Sequence, residues 1–356
     1  MDIKKRDFLI GGMGAAAGTP ALAQQPRYTW SGKQPATVDP SYKPRRLNKC
    51  IELWEDNQPM YYVSWGPTGE GDGYAQGKKM AQTWADCICI DLEHGCFDLV
   101  DVRNFMRGLV DGGPTRSGHR MPATFVSMPI VGYSAAYMEA NSWVLAQILA
   151  CGVMGVDVCH AREPKAVAAA VQACRYPFPY SAAAKKDLGD LPYGGEGLRG
   201  SGSQGFASHI WGINANRYTR LADLWPLNPA GELMLGLKIE DKWALANVNR
   251  TFAVPGVAFA EWGPGDMAMS LNGLSFYPDP PVPRATEFSV PSSIAPNVAD
   301  ARLKVAAACK KSGVRLLDTC IPETVIDSIK LGGMVLECSE ASALIGREYT
   351  KRRMPV

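Results

Sequence analysis

The stretch "CICIDLEHGCFDL", residues 87–99, joins an apolar run to a polar end. Its first part, residues 87–90, has the length and composition of a buried β-strand. Asp91, Glu93 and His94 follow the apolar run directly. The chain has only four histidines, so a histidine placed where a buried strand ends indicates a chemical role. The question for the fold is whether other strands end in the same way.

Eight β-rich runs of this kind alternate with segments of helical period, and each helical segment closes at or near a glycine or a turn. This alternation predicts an α/β fold with a parallel sheet, and eight strands are the number that closes a (β/α)₈ TIM barrel. No G-x-G-x-x-G motif follows the first strand, which argues against a dinucleotide-binding open sheet. The runs are YYVSW (61–65), CICIDLE (87–93), TFVSMP (124–129), GVDVCH (155–160), LMLGLKIE (233–240), GVAFAEW (256–262), RLLDTC (315–320) and MVLECS (334–339).

The predicted barrel domain covers residues 47–345 and carries two long loop insertions. Residues 178–222 are rich in glycine, serine and aromatic residues, and residues 274–297 are rich in proline. Loops of that length are typically lids or subunit contacts. An extended arm of residues 24–46 precedes the domain, and a C-terminal tail of residues 346–356 follows it.

The first 23 residues have the pattern of an export signal. Basic residues 4–6 precede a weakly apolar segment, and Ala21-Leu22-Ala23 is a small-x-small cleavage site. "KRDFL" is similar to the twin-arginine signal, with lysine in place of the first arginine. We therefore expect a periplasmic protein; a disordered N-terminal arm is the alternative.

Composition excludes several classes of partner. The formal net charge is +2, and the only basic block is Lys351-Arg352-Arg353, which we expect to be a solvated end. We therefore predict no nucleic-acid partner, and no segment is long and apolar enough to predict a membrane helix. The ten cysteines form no C-x-x-C pattern and are expected to be small buried hydrophobes. A pairing such as Cys309 with Cys320 stays open.

The active site of a barrel forms where its strands end. Polar side chains follow four of the predicted strands, and on this argument they surround one mouth. They are Asp91, Glu93 and His94 after the second strand, His160 after the fourth, Lys238 and Glu240 after the fifth, and Asp266 after the sixth.

This set favours metal-assisted chemistry. Glu240 and Asp266 offer the hard oxygen ligands that Mg²⁺ or Mn²⁺ prefers. A cation there would polarise a substrate carbonyl, while His94, held by Asp91, moves the proton that makes or breaks a carbon–carbon bond. Glu93 would anchor a metal-bound water. Taken singly, Glu240 or Asp266 is as typical of a surface carboxylate or a helix N-cap as of a metal ligand.

Four stretches resemble the HpcH/HpaI aldolase family, whose members are metal-dependent aldolases acting through a pyruvate enolate. They are "IDLEHGCFDL", "CRYP…GLRG", "GLKIEDKWALANVNRTFAVPGV" and "WGPGDMAMSLNG", and the similarity runs from about residue 47 to about residue 343. The resemblance implies a (β/α)₈ barrel that assembles into trimers or hexamers.

The resemblance also implies roles for particular residues. It assigns the metal to Glu240 and Asp266 with Glu93 behind it, and the base dyad to His94 and Asp91. It implies that backbone amides at Gly265 and Asp266 hold a substrate oxygen. "VCHAREPKAV" is similar to the matching stretch of macrophomate synthase, a family member that acts on a pyrone, which makes His160 a candidate substrate contact.

Three positions depart from the family pattern. Met128 stands where the family has a substrate-binding arginine, Lys238 where it has a glutamine, and Ala150 where it has an aspartate that reaches the neighbouring subunit. A thioether cannot replace a bidentate donor. Three outcomes are possible. The substrate is bulkier or aromatic, or Lys238 or Arg199 replaces the arginine, or the site is inactive. The first is favoured by four apolar candidates for the pocket: Met128, Trp262, Met267 and Met269.

Lys238 itself has two interpretations. A Schiff-base role is disfavoured because a cation opposes metal binding beside it, and an ion pair with Glu240 or Asp241 is favoured.

The sequence thus predicts a divalent-metal-dependent carbon–carbon lyase of the aldolase type that acts on a small carbonyl or hydroxy-carbonyl compound. Two alternatives stay open. One is a catalytically altered or inactive periplasmic binding protein, and the other is an enzyme of addition or decarboxylation like macrophomate synthase.

Overall fold

The computed structural model describes residues 30–178, 196–273 and 295–356. The predicted export signal, residues 1–23, lies outside these ranges. The described residues contain nine strands: β1 Met60–Trp65, β2 Cys87–Asp91, β3 Ala123–Val131, β4 Gly155–Cys159, β5 Leu224–Trp225, β6 Leu233–Lys238, β7 Val257–Glu261, β8 Arg315–Thr319 and β9 Gly333–Glu337.

The strands form one closed parallel barrel. The sheet order is β4-β3-β2-β1-β9-β8-β7-β6-β5, and β4 also pairs with β6, which closes a ring of eight. The two-residue strand β5 was not among the eight predicted strands, and in the described sheet it pairs only with β6. All eight strands predicted from the sequence are present, and the predicted (β/α)₈ barrel is confirmed.

Helices connect the strands and cover the barrel. None of the described helices is long and apolar enough to cross a membrane. They are α1 Lys49–Glu55, α2 Gly73–Met80, α3 Leu99–Gly112, α4 Ala135–Ala140, α5 Ser142–Leu149, α6 Pro164–Cys174, α7 Gln204–Trp211, α8 Ala215–Leu221, α9 Lys242–Thr251, α10 Pro264–Asn272, α11 Pro296–Ser312, α12 Val325–Leu331 and α13 Glu340–Tyr349.

The first insertion is not simply a loop, which corrects the sequence prediction. Its described part contains α7 and α8, because two aromatic side chains anchor it to the barrel. The Trp211 indole donates to the Gly152 carbonyl at 2.8 Å, and the buried Tyr218 hydroxyl donates to the Leu149 carbonyl at 3.2 Å. Residues 179–195 of this insertion, and residues 274–294 of the second, lie outside the described residues.

Aromatic rings fill the middle of the barrel. Phe125 lies 5.3 Å from Phe259 and 5.4 Å from Tyr62, centroid to centroid, both in edge-on contacts. Gly236 on β6 permits this packing, since a Cβ there would collide with the Phe259 ring. These rings form an apolar floor beneath the polar residues that end the strands.

A buried ionic cluster closes the opposite end of the barrel. Asp86, directly before β2, has no exposed surface and pairs with three cations. The nearest distances to its carboxylate are 3.0 Å from Lys49 Nζ, 3.2 Å from Arg347 Nη2 and 3.1 Å from Arg352 Nη1. The two guanidinium groups hold the pKa of the Asp86 carboxyl well below its usual range, against the effect of burial.

The basic tail is solvated only in part: Lys351 and Arg353 are exposed as expected, but Arg352 is not, which corrects the sequence expectation for that residue. Arg352 is completely buried because it pairs with Asp86, and Val356 is also buried. The described part of the arm, residues 30–46, has no helix or strand and packs along the tail. Its Asp39 amide donates to the Arg353 carbonyl at 2.9 Å. Helix α13 also runs across the expected domain boundary at residue 345.

All ten cysteines are free thiols, and nine of them are buried. The prediction of small buried hydrophobes is therefore confirmed for these nine, and the Cys309–Cys320 pairing is absent. The exception is Cys96, which is exposed on the segment between β2 and α3.

Candidate active site

The polar residues that follow the strands meet at one mouth of the barrel, as a parallel barrel requires. Contacts between them link β2, β3, β4, β6 and β7.

Asp91 and His94 form a hydrogen-bonded pair. His94 Nδ1 lies 3.0 Å from Asp91 Oδ2, while Asp91 Oδ1 accepts the backbone N–H groups of Glu93 and His94, each at 3.0 Å. The segment thus folds back on the carboxylate that ends β2. The hydrogen bond to Asp91 raises the pKa of His94, and Nε2 lies 3.8 Å from Glu93 Oε1. The imidazole is oriented by one acid and remains 66% exposed on its side chain.

Lys238 is paired with Glu93, not with Glu240 or Asp241 as the sequence suggested. Its ammonium donates to Glu93 Oε2 and lies 3.9 Å from Glu261 Oε2. Ser127 Oγ donates to the same Glu93 oxygen at 3.1 Å. The reason is geometric: Lys238 is the last residue of β6 and faces the barrel interior, where the carboxylates of other strands are closer than its chain neighbours.

Glu240 is held by the loop after β4. The His160 backbone N–H donates to Glu240 Oε1 at 2.7 Å, and His160 Nδ1 lies 2.9 Å from Asp241 Oδ2. His160 has φ of 47°, a strained conformation for a residue other than glycine. Two acidic side chains stabilise this conformation, and it fixes Glu240 in return. Burial raises the pKa of Glu240 to about 8.

The turn after β7 packs directly against Glu240. Gly263 has φ of 46°, and a Cβ there would collide with the Glu240 side chain. Asp266 lies in the first turn of α10. The hydrogen bond to Asp241 raises the pKa of His160 and burial raises that of Glu261, and the Asp266 charge makes a smaller contribution to both. The N–H groups of Gly265 and Asp266 have no acceptor among the described residues. This agrees with an oxygen-binding turn beside Glu240.

Three further acids belong to the interior and were missed in the sequence analysis. Glu261 ends β7, Glu337 ends β9 and Asp157 lies within β4. Burial raises the pKa of Asp157 to about 7 and that of Glu337 to about 7, and it raises the pKa of Glu261 as well. The signal was present, since "GVAFAEW" and "MVLECS" also place a carboxylate where a strand ends.

The donor set fits a hard divalent cation. Several buried carboxylates with raised pKa values surround one ammonium, that of Lys238, so the mouth has excess acid for a cation to balance. Among the described residues, potential ligand atoms lie within 4.8 Å of one another in two sets: Asp91, Glu93 and His94, and Glu93, Cys159 and Glu240. Asp266 is in neither set, so the Glu240–Asp266 ligand pair stays a prediction.

Three residues proposed for substrate recognition have other surroundings. Met128 has no exposed surface and lies in the hydrophobic core. Trp262 is 1% exposed, and its indole N–H donates to Asp318 Oδ1 at 3.1 Å. Arg199 is buried against Tyr176, with its guanidinium carbon 4.4 Å from the ring centroid. The sequence pattern gave no information on which way these side chains turn, and in this structure none of the three is free to contact a substrate.

We expect Asp157→Asn to flatten the pH dependence of stability. The pKa of this carboxyl is about 7 in the folded chain against 3.8 unfolded, because burial disfavours its charge. Between these values the folded state keeps a proton that the unfolded state has lost, so wild-type stability falls as pH rises from 3.8 to about 7. The slope for one such group reaches about 1.4 kcal/mol per pH unit. Urea titrations in chelator at pH 5, 6 and 7 measure it; equal slopes for both proteins would contradict the prediction.

No family model and no curated protein matches the chain. Solved structures do match it. One is an HpcH/HpaI aldolase/citrate lyase family protein from Burkholderia cenocepacia J2315, with 20% identity and a TM-score of 0.58, covering 85% of this chain and 96% of that one.

Two other structures have the same fold. The HpcH/HpaI aldolase from Desulfitobacterium hafniense DCB-2 matches with 16% identity and a TM-score of 0.54, covering 84% of this chain and 93% of that one. Macrophomate synthase matches with 18% identity and a TM-score of 0.53, covering 84% and 87%. The structural neighbours are therefore HpcH/HpaI aldolases and macrophomate synthase, and the chain shares their barrel fold.

Proposed function

We propose that this protein is a divalent-metal-dependent carbon–carbon lyase of the aldolase type, acting on a β-hydroxy-carbonyl compound. The observation that carries the proposal is the 3.0 Å contact between His94 Nδ1 and Asp91 Oδ2 at a mouth lined by buried carboxylates. An oriented imidazole beside an acid-rich centre that could hold a cation is the combination that retro-aldol cleavage needs.

His94 would move the proton. Asp91 accepts the Nδ1–H, which leaves the Nε2 lone pair free to take the proton from the substrate hydroxyl. As that proton leaves, the oxygen forms the aldehyde carbonyl, the neighbouring carbon–carbon bond breaks, and its electron pair passes to the second carbonyl as an enolate. The imidazolium then returns its proton to the enolate carbon, so the histidine ends as it began.

Glu240 and Asp266 would hold the cation, with Glu93 beyond them. A divalent cation held by these residues would supply Lewis acidity toward the substrate carbonyl, which favours formation of an enolate. Lys238 and Ser127 fix Glu93 so that its second oxygen remains directed at His94. The N–H groups of Gly265 and Asp266 would bind a substrate oxygen at the start of α10.

The substrate is proposed to be bulkier than pyruvate or aromatic. Two features support this: Met128 supplies no positive charge at the position of the family arginine, and Met269 on α10 is 56% exposed. Export to the periplasm and assembly into a trimer or hexamer stay predictions from the sequence.

Metal removal tests the proposal directly. We expect exhaustive chelation to abolish aldehyde release from a panel of aliphatic and aromatic β-hydroxy-carbonyl compounds, and Mg²⁺ or Mn²⁺ to restore it. The cation should also raise the melting temperature, since a free cation concentration of about 100 times its Kd adds about 2.7 kcal/mol to the free energy of unfolding. Glu240→Gln should lose this thermal shift, because it removes a charged ligand.

The matched control is Glu348→Gln, on the exposed side of α13, which should keep both the activity and the thermal shift. Undiminished turnover after chelation would remove the metal from the mechanism. A cation-dependent shift that survives in Glu240→Gln would move the metal to other ligands.

A second candidate, a ligand-binding barrel without turnover, is favoured by one observation. The Lys238–Glu93 ion pair places the Lys238 ammonium within the acid cluster, where its positive charge competes with that of a metal ion. Ligands that raise the melting temperature without any product, with or without a cation, would support this candidate over the lyase.

A further inference from the structure

Arg162, which follows β4, is stacked between two aromatic rings. Its guanidinium carbon lies 3.9 Å from the centroid of Tyr133 and 4.6 Å from that of Trp243. These rings are 39% and 52% exposed, so both keep free edges at the surface. The three side chains come from separate segments, after β3, after β4 and at the start of α9, and they meet beside the barrel mouth.

A chain of contacts connects this stack to the candidate active site. Arg162 Nε donates to Asp241 Oδ2 at 2.8 Å, and the same oxygen lies 2.9 Å from His160 Nδ1. The His160 N–H in turn donates to Glu240. Three contacts, through Asp241 and His160, thus connect Arg162 to the carboxylate proposed to hold the metal.

The backbone of Arg162 is held on both sides. Its N–H donates to the Gly132 carbonyl at 3.0 Å, and its own carbonyl accepts from Asn247 Nδ2 at 2.9 Å. Gly132 permits this close approach, since a Cβ there would lie 2.9 Å from the Ala161 Cα. The guanidinium is therefore presented by a preorganised loop, which lowers the ordering cost of binding.

The end of the guanidinium has unused hydrogen-bonding capacity. Only Nε is bonded, and Nη1 and Nη2 have no partner within the described parts of the chain. The side chain is 27% exposed. A second cation is near, with Lys242 Nζ 4.4 Å from the centroid of Trp243, and the acid in contact, Asp241, is already shared by Arg162 and His160.

We propose that Arg162, Tyr133 and Trp243 form a binding subsite for an aromatic carboxylate. The paired Nη atoms match the two oxygens of a carboxylate, and the exposed ring edges offer an aryl group an edge-to-face contact. The subsite supplies the positive charge that Met128 does not. Its ligand is a substrate only if the proposed lyase function holds, but binding itself does not depend on turnover.

Binding of simple probes tests the subsite. Isothermal titration of the full chain in chelator would compare benzoate with benzamide, which has the same ring without the charge, and with acetate, which has the charge without the ring. We expect benzoate to bind more tightly than either. Arg162→Gln should weaken benzoate binding at least about tenfold, since a charge-assisted pair is lost. Arg162→Lys should bind benzoate with an affinity between those of the wild type and Arg162→Gln, because it keeps the charge and loses the bidentate geometry of the guanidinium.

Further variants separate the aryl contact from the charge. Trp243→Leu should weaken benzoate more than acetate, and Arg217→Gln, an exposed arginine on α8, should change neither. The subsite is refuted if benzoate fails to bind at millimolar concentration, if benzamide binds equally well, or if Arg162→Gln and Arg162→Lys both bind benzoate as the wild type does. The titration is made in chelator, so its result does not depend on a bound metal. If benzoate binding requires Arg162 but the protein shows no lyase activity with any added metal, the subsite is upheld and the lyase function is rejected.

Discussion

Replacing His94 with alanine is expected to lower turnover by about 10²–10⁴-fold, the usual worth of a positioned general base. Once an active substrate is identified, steady-state aldehyde release measures the loss. The fold should not suffer, because the imidazole side chain is 66% exposed and contacts Asp91 at the surface. We therefore expect a melting temperature close to that of the wild type, which separates a chemical role from a structural one.

His209 provides the matched control, as an exposed histidine on α7 outside the mouth. His209→Ala should keep full activity. Added imidazole should restore part of the activity of His94→Ala, because a small base can enter the vacated space. Turnover within a few-fold of the wild type in His94→Ala would assign proton transfer to another group and leave the Asp91 pair without its proposed role.

The second large effect is on stability. Asp86→Asn should cost about 3–5 kcal/mol, the penalty for breaking a buried ion pair and leaving its partners unpaired. Three cations, those of Lys49, Arg347 and Arg352, would face a neutral amide with no exposed surface. Urea-induced unfolding followed by circular dichroism measures the loss. Insoluble expression with rescue by stabilising osmolytes would have the same cause.

Asp327→Asn is the control for this change. Asp327 lies on α12 with its side chain 78% exposed, and its ion pair with Lys330 spans 3.5 Å at the surface. Exposed pairs of this kind contribute little, so the free energy of unfolding should move by less than about 0.5 kcal/mol. If the two substitutions had equal effects, the ionic cluster at the base of the barrel would not be a main source of stability.

The barrel was predictable from the sequence because each strand is a short apolar run closed by polar or glycine residues. Those local signals fix strand positions and parallel order, since helices separate the strands. The helices α7 and α8 were not predicted. Their composition is that of a loop, and they are ordered by Trp211 and Tyr218 docking on the barrel.

The candidate site was predictable in part for the same reason. Strand ends gather at one mouth, so residues at strand ends could be grouped without coordinates. Partner choice could not be obtained in this way. Lys238 pairs with Glu93, which is 145 residues away in the chain, in preference to its neighbours Glu240 and Asp241. Side-chain direction was also beyond the sequence, as the buried Met128 illustrates.

The ionic cluster at the base has a consequence for how the chain is made. Asp86 lies directly before β2, whereas Arg347 and Arg352 follow it by 261 and 266 residues. During translation this acid can pair at most with Lys49 until both arginines have been synthesised. The barrel should therefore gain its ionic cluster only after residue 352 has left the ribosome, so that chains cut before residue 347 lack the cluster and are more easily recognised by proteases.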